Sequence, residues 1–144
     1  MSIYPRTIAV GFDGSADAIG ACAWAMATGR RLEAHLVLVH ARGLLDRFDR
    51  RDPRSLFGDV VAEEAARHAF DLTRLSWHVG DGDACSVLLR CAEAPVFADL
   101  VIVGSRGRDE HAGMLIGSTS LQLAERSAIP VVIVPSTTSD RHDP

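Results

Sequence analysis

Lysine is absent from the 144-residue chain, and all 15 of its basic residues are arginine. A Walker-type phosphate loop needs a lysine to reach the phosphates, so that motif is excluded. Cysteine is scarce and odd in number. Cys22, Cys85 and Cys91 lack the paired spacing of metal ligands and fall in predicted helices, where a thiol packs as a small hydrophobe. His35, His68 and His78 share no ligand spacing either, so no metal site is expected. No apolar run approaches the ~20 residues of a membrane span. The opening residues carry no signal-peptide pattern, and the expected location is the cytoplasm. There is no G-x-S-x-G nucleophile elbow, so a committed catalyst is not expected.

What remains is a chain with 47% apolar and 24% charged residues, the balance of a compact globule rather than a disordered segment. At this length one domain can bury roughly 68–70% of its unfolded surface. A net charge of −4 argues against nonspecific attraction to nucleic acid or an anionic membrane.

Apolar runs alternate with helical periodicity along the chain. Strands are expected at 7–12, 35–40, 75–79, 98–103 and 131–134. The first helix is expected over 16–28, capped by Ser15 and stopped by Gly29. A helix over 59–73 should turn Val60, Ala65, Ala69 and Leu72 inward, and others are expected over 84–93 and 118–127. Residues 42–55, with five Arg, three Asp and Pro53, read as an exposed loop, and 136–144 as a flexible polar tail behind a domain of residues 1–135. Near-continuous apolar strands alternating with helices imply a parallel sheet covered on both faces. With right-handed crossovers the economical arrangement is a doubly wound five-stranded α/β sheet of order 3-2-1-4-5. Its crevice lies beyond the ends of the first and fourth strands, where the winding reverses.

Asp13 and Gly104 sit at those two ends. The fourth strand runs into Gly104-Ser105-Arg106-Gly107, and after nine intervening residues Gly117-Ser118-Thr119 opens a helix. Glycines let backbone approach an anion, and amides at a helix start carry the positive end of its dipole. A nucleotide site follows as the leading reading. Ser118 also reads as the cap of the last helix, and Arg106 and Arg108 could screen phosphate charge. His40 reads as a structural residue, and His111 as exposed.

These motifs resemble a universal stress protein domain of the ATP-binding type, an adenine-nucleotide alpha-hydrolase-like fold. The likeness extends from Ile8-Ala9-Val10-Gly11-Phe12-Asp13-Gly14-Ser15 to Ile129-Pro130-Val131-Val132-Ile133-Val134. The resemblance implies that Asp13 faces adenosine, that the backbone of Ala41 meets adenine, and that Val103 and Gly104 line the ribose. It also implies that Gly107, Gly117, Ser118 and Thr119 surround the phosphates. ATP is the implied ligand, with AMP, ADP or cAMP as alternatives, with or without Mg²⁺. The implied role is a ligand-dependent regulator of the stress response, with at most slow, incidental hydrolysis, in which nucleotide orders the loop from Arg106 to Ile116. Asp109-Glu110-His111 departs from the family pattern, which has a small hydroxyl residue and a glycine at the first two positions. Two carboxylates there oppose a triphosphate. The alternative is a nucleotide-free dimeric interaction module with a degenerate phosphate loop. The fifth strand should form a sheet edge, and exposed edges invite pairing. The family typically dimerises there, which makes Ile129, Val131 and Ile133 the expected homodimer contacts.

Overall fold

The computed structural model describes residues 4–43, 51–106 and 116–136. Five parallel strands, β1 (Thr7–Gly11), β2 (His35–Arg42), β3 (Leu75–Asp81), β4 (Leu100–Gly104) and β5 (Val131–Val134), form one sheet in the order β3-β2-β1-β4-β5. The expected topology is the observed one. Among the described residues, four helices connect them: α1 (Ala16–Leu32), α2 (Pro53–Arg67), α3 (Ala84–Arg90) and α4 (Ser118–Arg126), with a short 3-10 turn at Leu72–Arg74.

Strand alternation divides the core in two. Ile8, Val10, Leu36, Leu38 and Ile102 face the α1–α2 layer. Ala9, Val37, Val39, Val101 and Val103 face α3 and α4. Leu36 and Leu38 are wholly buried, and side chains of this size contribute ~1.5–3 kcal/mol each. Apolar residues on both strand faces are what parallel strands require, and they are why the strand pattern was readable.

Helix boundaries differ from expectation. Gly29 does not stop α1; it lies inside the helix, buried, and α1 continues to Leu32. The stop is Glu33, left-handed at φ 54°, after which the Ala34 amide donates to the Gly29 carbonyl at 2.9 Å. The same device ends α2. Ala69 takes φ 51° and the Phe70 amide returns to the Ala65 carbonyl at 2.8 Å, carrying Phe70 into the core. These are Schellman-type ends without glycine.

Consequently α2 spans Pro53–Arg67 rather than 59–73. Ala69 and Leu72 are exposed instead of inward, whereas Ala65 is buried and Val60 partly so. Pro53, expected in an exposed loop, is buried in the first turn of α2, where its missing N–H has no intrahelical partner to lose. Arg42 belongs to β2, which pairs with β3 as far as Asp81. α3 ends at Arg90, three residues short of the predicted end. Residues 44–50, 107–115 and 137–144 lie outside the described residues, and with them half of the predicted loop, Gly107, Arg108, Asp109-Glu110-His111 and all of the predicted tail beyond Ser136.

A Cβ at Gly104 would lie 2.7 Å from the Asp17 carbonyl oxygen, so β4 and α1 meet here backbone to backbone. Gly104→Ala should therefore lower stability by about 1–3 kcal/mol in denaturant unfolding. Gly20, in the middle of α1 with open space beside it, is its control. Gly20→Ala should raise stability by about 0.5–1 kcal/mol. Equal effects at the two positions would contradict the close approach.

The three thiols are buried. Burial, with Glu64 nearby, pushes the Cys22 thiol up to about 12, and burial pushes Cys91 up to about 11. The folded thiols stay protonated where unfolded ones ionise. Stability should therefore fall as pH rises above the ordinary thiol value of 9.0, through the folded values of about 11 and about 12. Near pH 8 a thiol-reactive reagent should modify Cys22 and Cys91 only after denaturation. Prompt native-state labelling of either would contradict their burial.

Candidate functional site

The strand order places β1 between β2 and β4, and the connections leave to opposite faces at this point. A cleft lies over the strand ends, where open α/β sheets bind their ligands. On the β2–α3 side its lining is apolar: Val39, Ala41, Ala84 and Leu88, with Val103 from β4. Asp13, Ser15, Arg106, Thr119 and Ser120 bring polar groups to it.

Each polar group is held by its own local structure. The Ser15 amide donates to Asp13 Oδ1 at 2.9 Å, an Asx turn that fixes the carboxylate. Ser15 in turn caps α1 as expected, its Oγ accepting from the Ala18 amide at 3.1 Å. Between them Gly14 has φ +81°, and a Cβ there would lie 2.5 Å from Phe57 Cε1. Only glycine fits both the turn and the ring above it. Phe57 stands edge-on to Phe12 at 5.3 Å and stacks on Trp77 at 6.5 Å, so α2 presses on the Asp13–Gly14 turn from outside. His40 Nδ1–H donates to the Phe12 carbonyl at 3.2 Å, the structural role read from sequence.

On the other side, Gly104 gives α1 its close passage and also lines the cleft. The Ser105 amide donates to Val134 at 3.0 Å. The Arg106 amide donates to Asp17 Oδ2 at 3.1 Å, and Ser105 Oγ–H to the same oxygen at 3.3 Å. Arg106 Nε lies 3.5 Å from that oxygen, and its terminal nitrogen donates to Ser136 Oγ at 3.1 Å. The two charged side chains are only 12% and 8% exposed, so this is an interior ion pair.

Asp13, Ala41, Val103, Gly104, Arg106 and Thr119 all line the cleft. Gly117 and Ser118 adjoin it without lining it, and Gly107 lies outside the described residues. Gly117 differs from expectation: its amide is engaged with the Ser105 carbonyl, which draws together the two flanks of residues 107–115. Ser118 is not the cap of α4. Gly117 occupies that position, with no side-chain cap bond, and Ser118 is the first helical residue. α1, α2 and α3 begin instead under Ser15, Asp52 and Asp83 oxygens. The residue that precedes α4, Gly117, thus offers no side-chain oxygen of its own to the helix start beside the cleft.

Sequence reasoning missed Asp17, Ser120, Leu88 and Ala84. Ser120 is buried, its hydroxyl donating to the Gly104 carbonyl at 2.7 Å. Its signal was present in Ser118-Thr119-Ser120, where helical spacing separates an outward from an inward hydroxyl. Asp17 carried no local signal, since its partners are 88 and 89 residues away.

The family model described as "Universal stress protein family" matches residues 5–135. Two Mycobacterium tuberculosis proteins, Universal stress protein Rv2624c and Universal stress protein Rv2623, are 33% identical over 135 residues and 34% identical over 136. Those alignments cover 91% and 88% of this chain but 48% and 44% of theirs, so the chain spans about half the length of these curated relatives. A solved universal stress protein in complex with cAMP is 26% identical, with 90% of this chain and 96% of that one covered and a TM-score of 0.70. An Arabidopsis thaliana universal stress protein family protein with AMP bound shares the fold at 17% identity, covering 96% and 97%, with a TM-score of 0.65. With a family model matching nearly its whole length and relatives a third identical across it, the chain belongs to the universal stress protein family.

Proposed function

We propose that this protein binds an adenine nucleotide in the cleft between the ends of β1 and β4, and that occupancy rather than turnover is its output. The observation that carries the reading is the coincidence of the cleft lining with the residues the family resemblance assigns to the ligand. The apolar side, from Val39 and Ala41 to Leu88, suits a flat base held by backbone groups. Asp13, fixed by its Asx turn, suits a ribose hydroxyl donor better than a phosphate. The first amides of α4, which have no partner inside the helix, suit a phosphate. The solved relatives carrying cAMP and AMP support an adenine ligand. Partner recognition in the cytoplasm, altered by bound nucleotide, is the role proposed.

A homodimer through β5 belongs to the same reading. β5 is one of the two outer strands, and Val131 and Ile133 in it and Ile129 just before it are only partly buried. Exposed edge amides and apolar side chains favour pairing with a second copy. Light scattering of the purified chain should give twice the chain mass of 15.5 kDa; a monomer at micromolar concentration would end this part of the reading.

Thr119→Glu separates ligand binding from folding. A carboxylate in the first turn of α4 favours the helix dipole by about 0.3–1 kcal/mol, so thermal stability should hold or rise. The same charge opposes a phosphate, so AMP affinity should fall at least roughly tenfold in calorimetric titration. Unchanged AMP affinity would remove the phosphate from this end of the cleft.

A further inference from the structure

We propose that Asp17, which does not line the cleft, makes it selective for adenosine carrying a single phosphate group over adenosine polyphosphates. The proposal rests on the nucleotide reading above and names the ligand class within it.

Asp17 cancels two positive features at once. Its Oδ2 receives the Arg106 amide at 3.1 Å and lies 3.5 Å from Arg106 Nε, in a pair almost closed to water. Arg106 is the one basic side chain among the described residues lining the cleft. Asp17 is also the second residue of α1, so its carboxylate sits at that helix's positive end, beside the lining residues Ser15 and Ala18. An arginine held this way in a low-dielectric surround presents little net charge to a ligand.

Asp13 is the other charged residue of the lining. With Asp17 behind Arg106, the charged residues of the described lining and this paired aspartate sum to a negative charge. A single phosphate can be met by the N-terminal amides of α4, which carry partial positive charge without a cation. Each additional phosphate brings further negative charge, and the one described cation of the lining is already paired. Affinity is therefore set by adenosine and one phosphate, and a longer chain adds repulsion.

Asp17→Asn tests this with little change of shape, because the amide oxygen can still accept from the Arg106 amide and Ser105 Oγ. The full chain and the variant are titrated with adenosine, AMP, ADP and ATP without divalent cations, at low and high salt, with thermal unfolding as the folding check. The wild type should bind AMP at least as tightly as ATP. Asp17→Asn should tighten ATP roughly tenfold and AMP about threefold, leave adenosine unchanged, and lose most of the gain at high salt. Adding Arg106→Gln to the variant should abolish the gain. A role confined to folding would move all four ligands together, and that result would overturn the proposal. So would a wild type that tightens tenfold from AMP to ATP, a readout that decides the matter even if the variant fails to fold. In that second case adenosine and AMP still bind and the nucleotide reading stands. A wild type that binds none of the four loses both.

Discussion

Where α1 crosses the end of β4, the Gly104 Cα faces the Asp17 main chain at a distance that leaves no room for a side-chain carbon. That contact brings the start of one helix and the end of a non-adjacent strand to the same point, above the seam where the sheet's winding reverses. Asp17 then collects the Ser105 hydroxyl, the Arg106 amide and the Arg106 guanidinium around one oxygen. Any side chain at Gly104 would lift α1 and loosen all three. A packing constraint and an electrostatic one thus occupy the same few ångströms, and the cleft takes its polar rim from both.

The opposite end of the cleft depends on aromatic packing. Phe57 comes from the second turn of α2, yet its ring fills the space above Gly14 and meets Phe12, Trp77 and His40. Edge-on and stacked aromatic contacts of this kind contribute ~0.5–1.5 kcal/mol each beyond area burial. They hold a positive-φ turn in a single conformation, and Asp13 inherits its orientation from that turn. α2 therefore shapes the site without lining it, so its starting position at Pro53 matters more than its length.

The topology was legible because it is written in local pattern: five apolar runs, helices between them, and a handedness rule that leaves one economical order. The residues lining the cleft were legible to the extent that they sit at strand ends, as Asp13, Ala41, Val103 and Gly104 do. Helix ends were not, because Glu33 and Ala69 adopt left-handed backbone without being glycine, and tertiary burial of Ala34 and Phe70 outweighs the local preference. The glycine read as a stop, Gly29, serves instead to let α1 lie against Leu36 and Phe70. Asp17 and Ser120 escaped notice for a different reason. Each bonds at the end of β4: no neighbour of Asp17 announces partners 88 and 89 residues away, and the signal for Ser120 lay only in its helical spacing from Ser118.

The two flanks of residues 107–115 are fixed by bonds that need no ligand. The Gly117 amide meets the Ser105 carbonyl, Ser120 Oγ–H donates to Gly104, and the Ser105 amide is held by β5. A binding site built on anchored flanks loses less conformational freedom when it fills, since the groups nearest the phosphate are already in position. The same anchoring limits how far Arg106 can turn toward an incoming charge. Asp17 grips both its backbone and its side chain, and Ser136 holds the far side of the guanidinium. A cation so constrained acts less as a free counter-charge than as part of the wall. In such a wall, the charge that stands behind the arginine matters as much as the arginine itself.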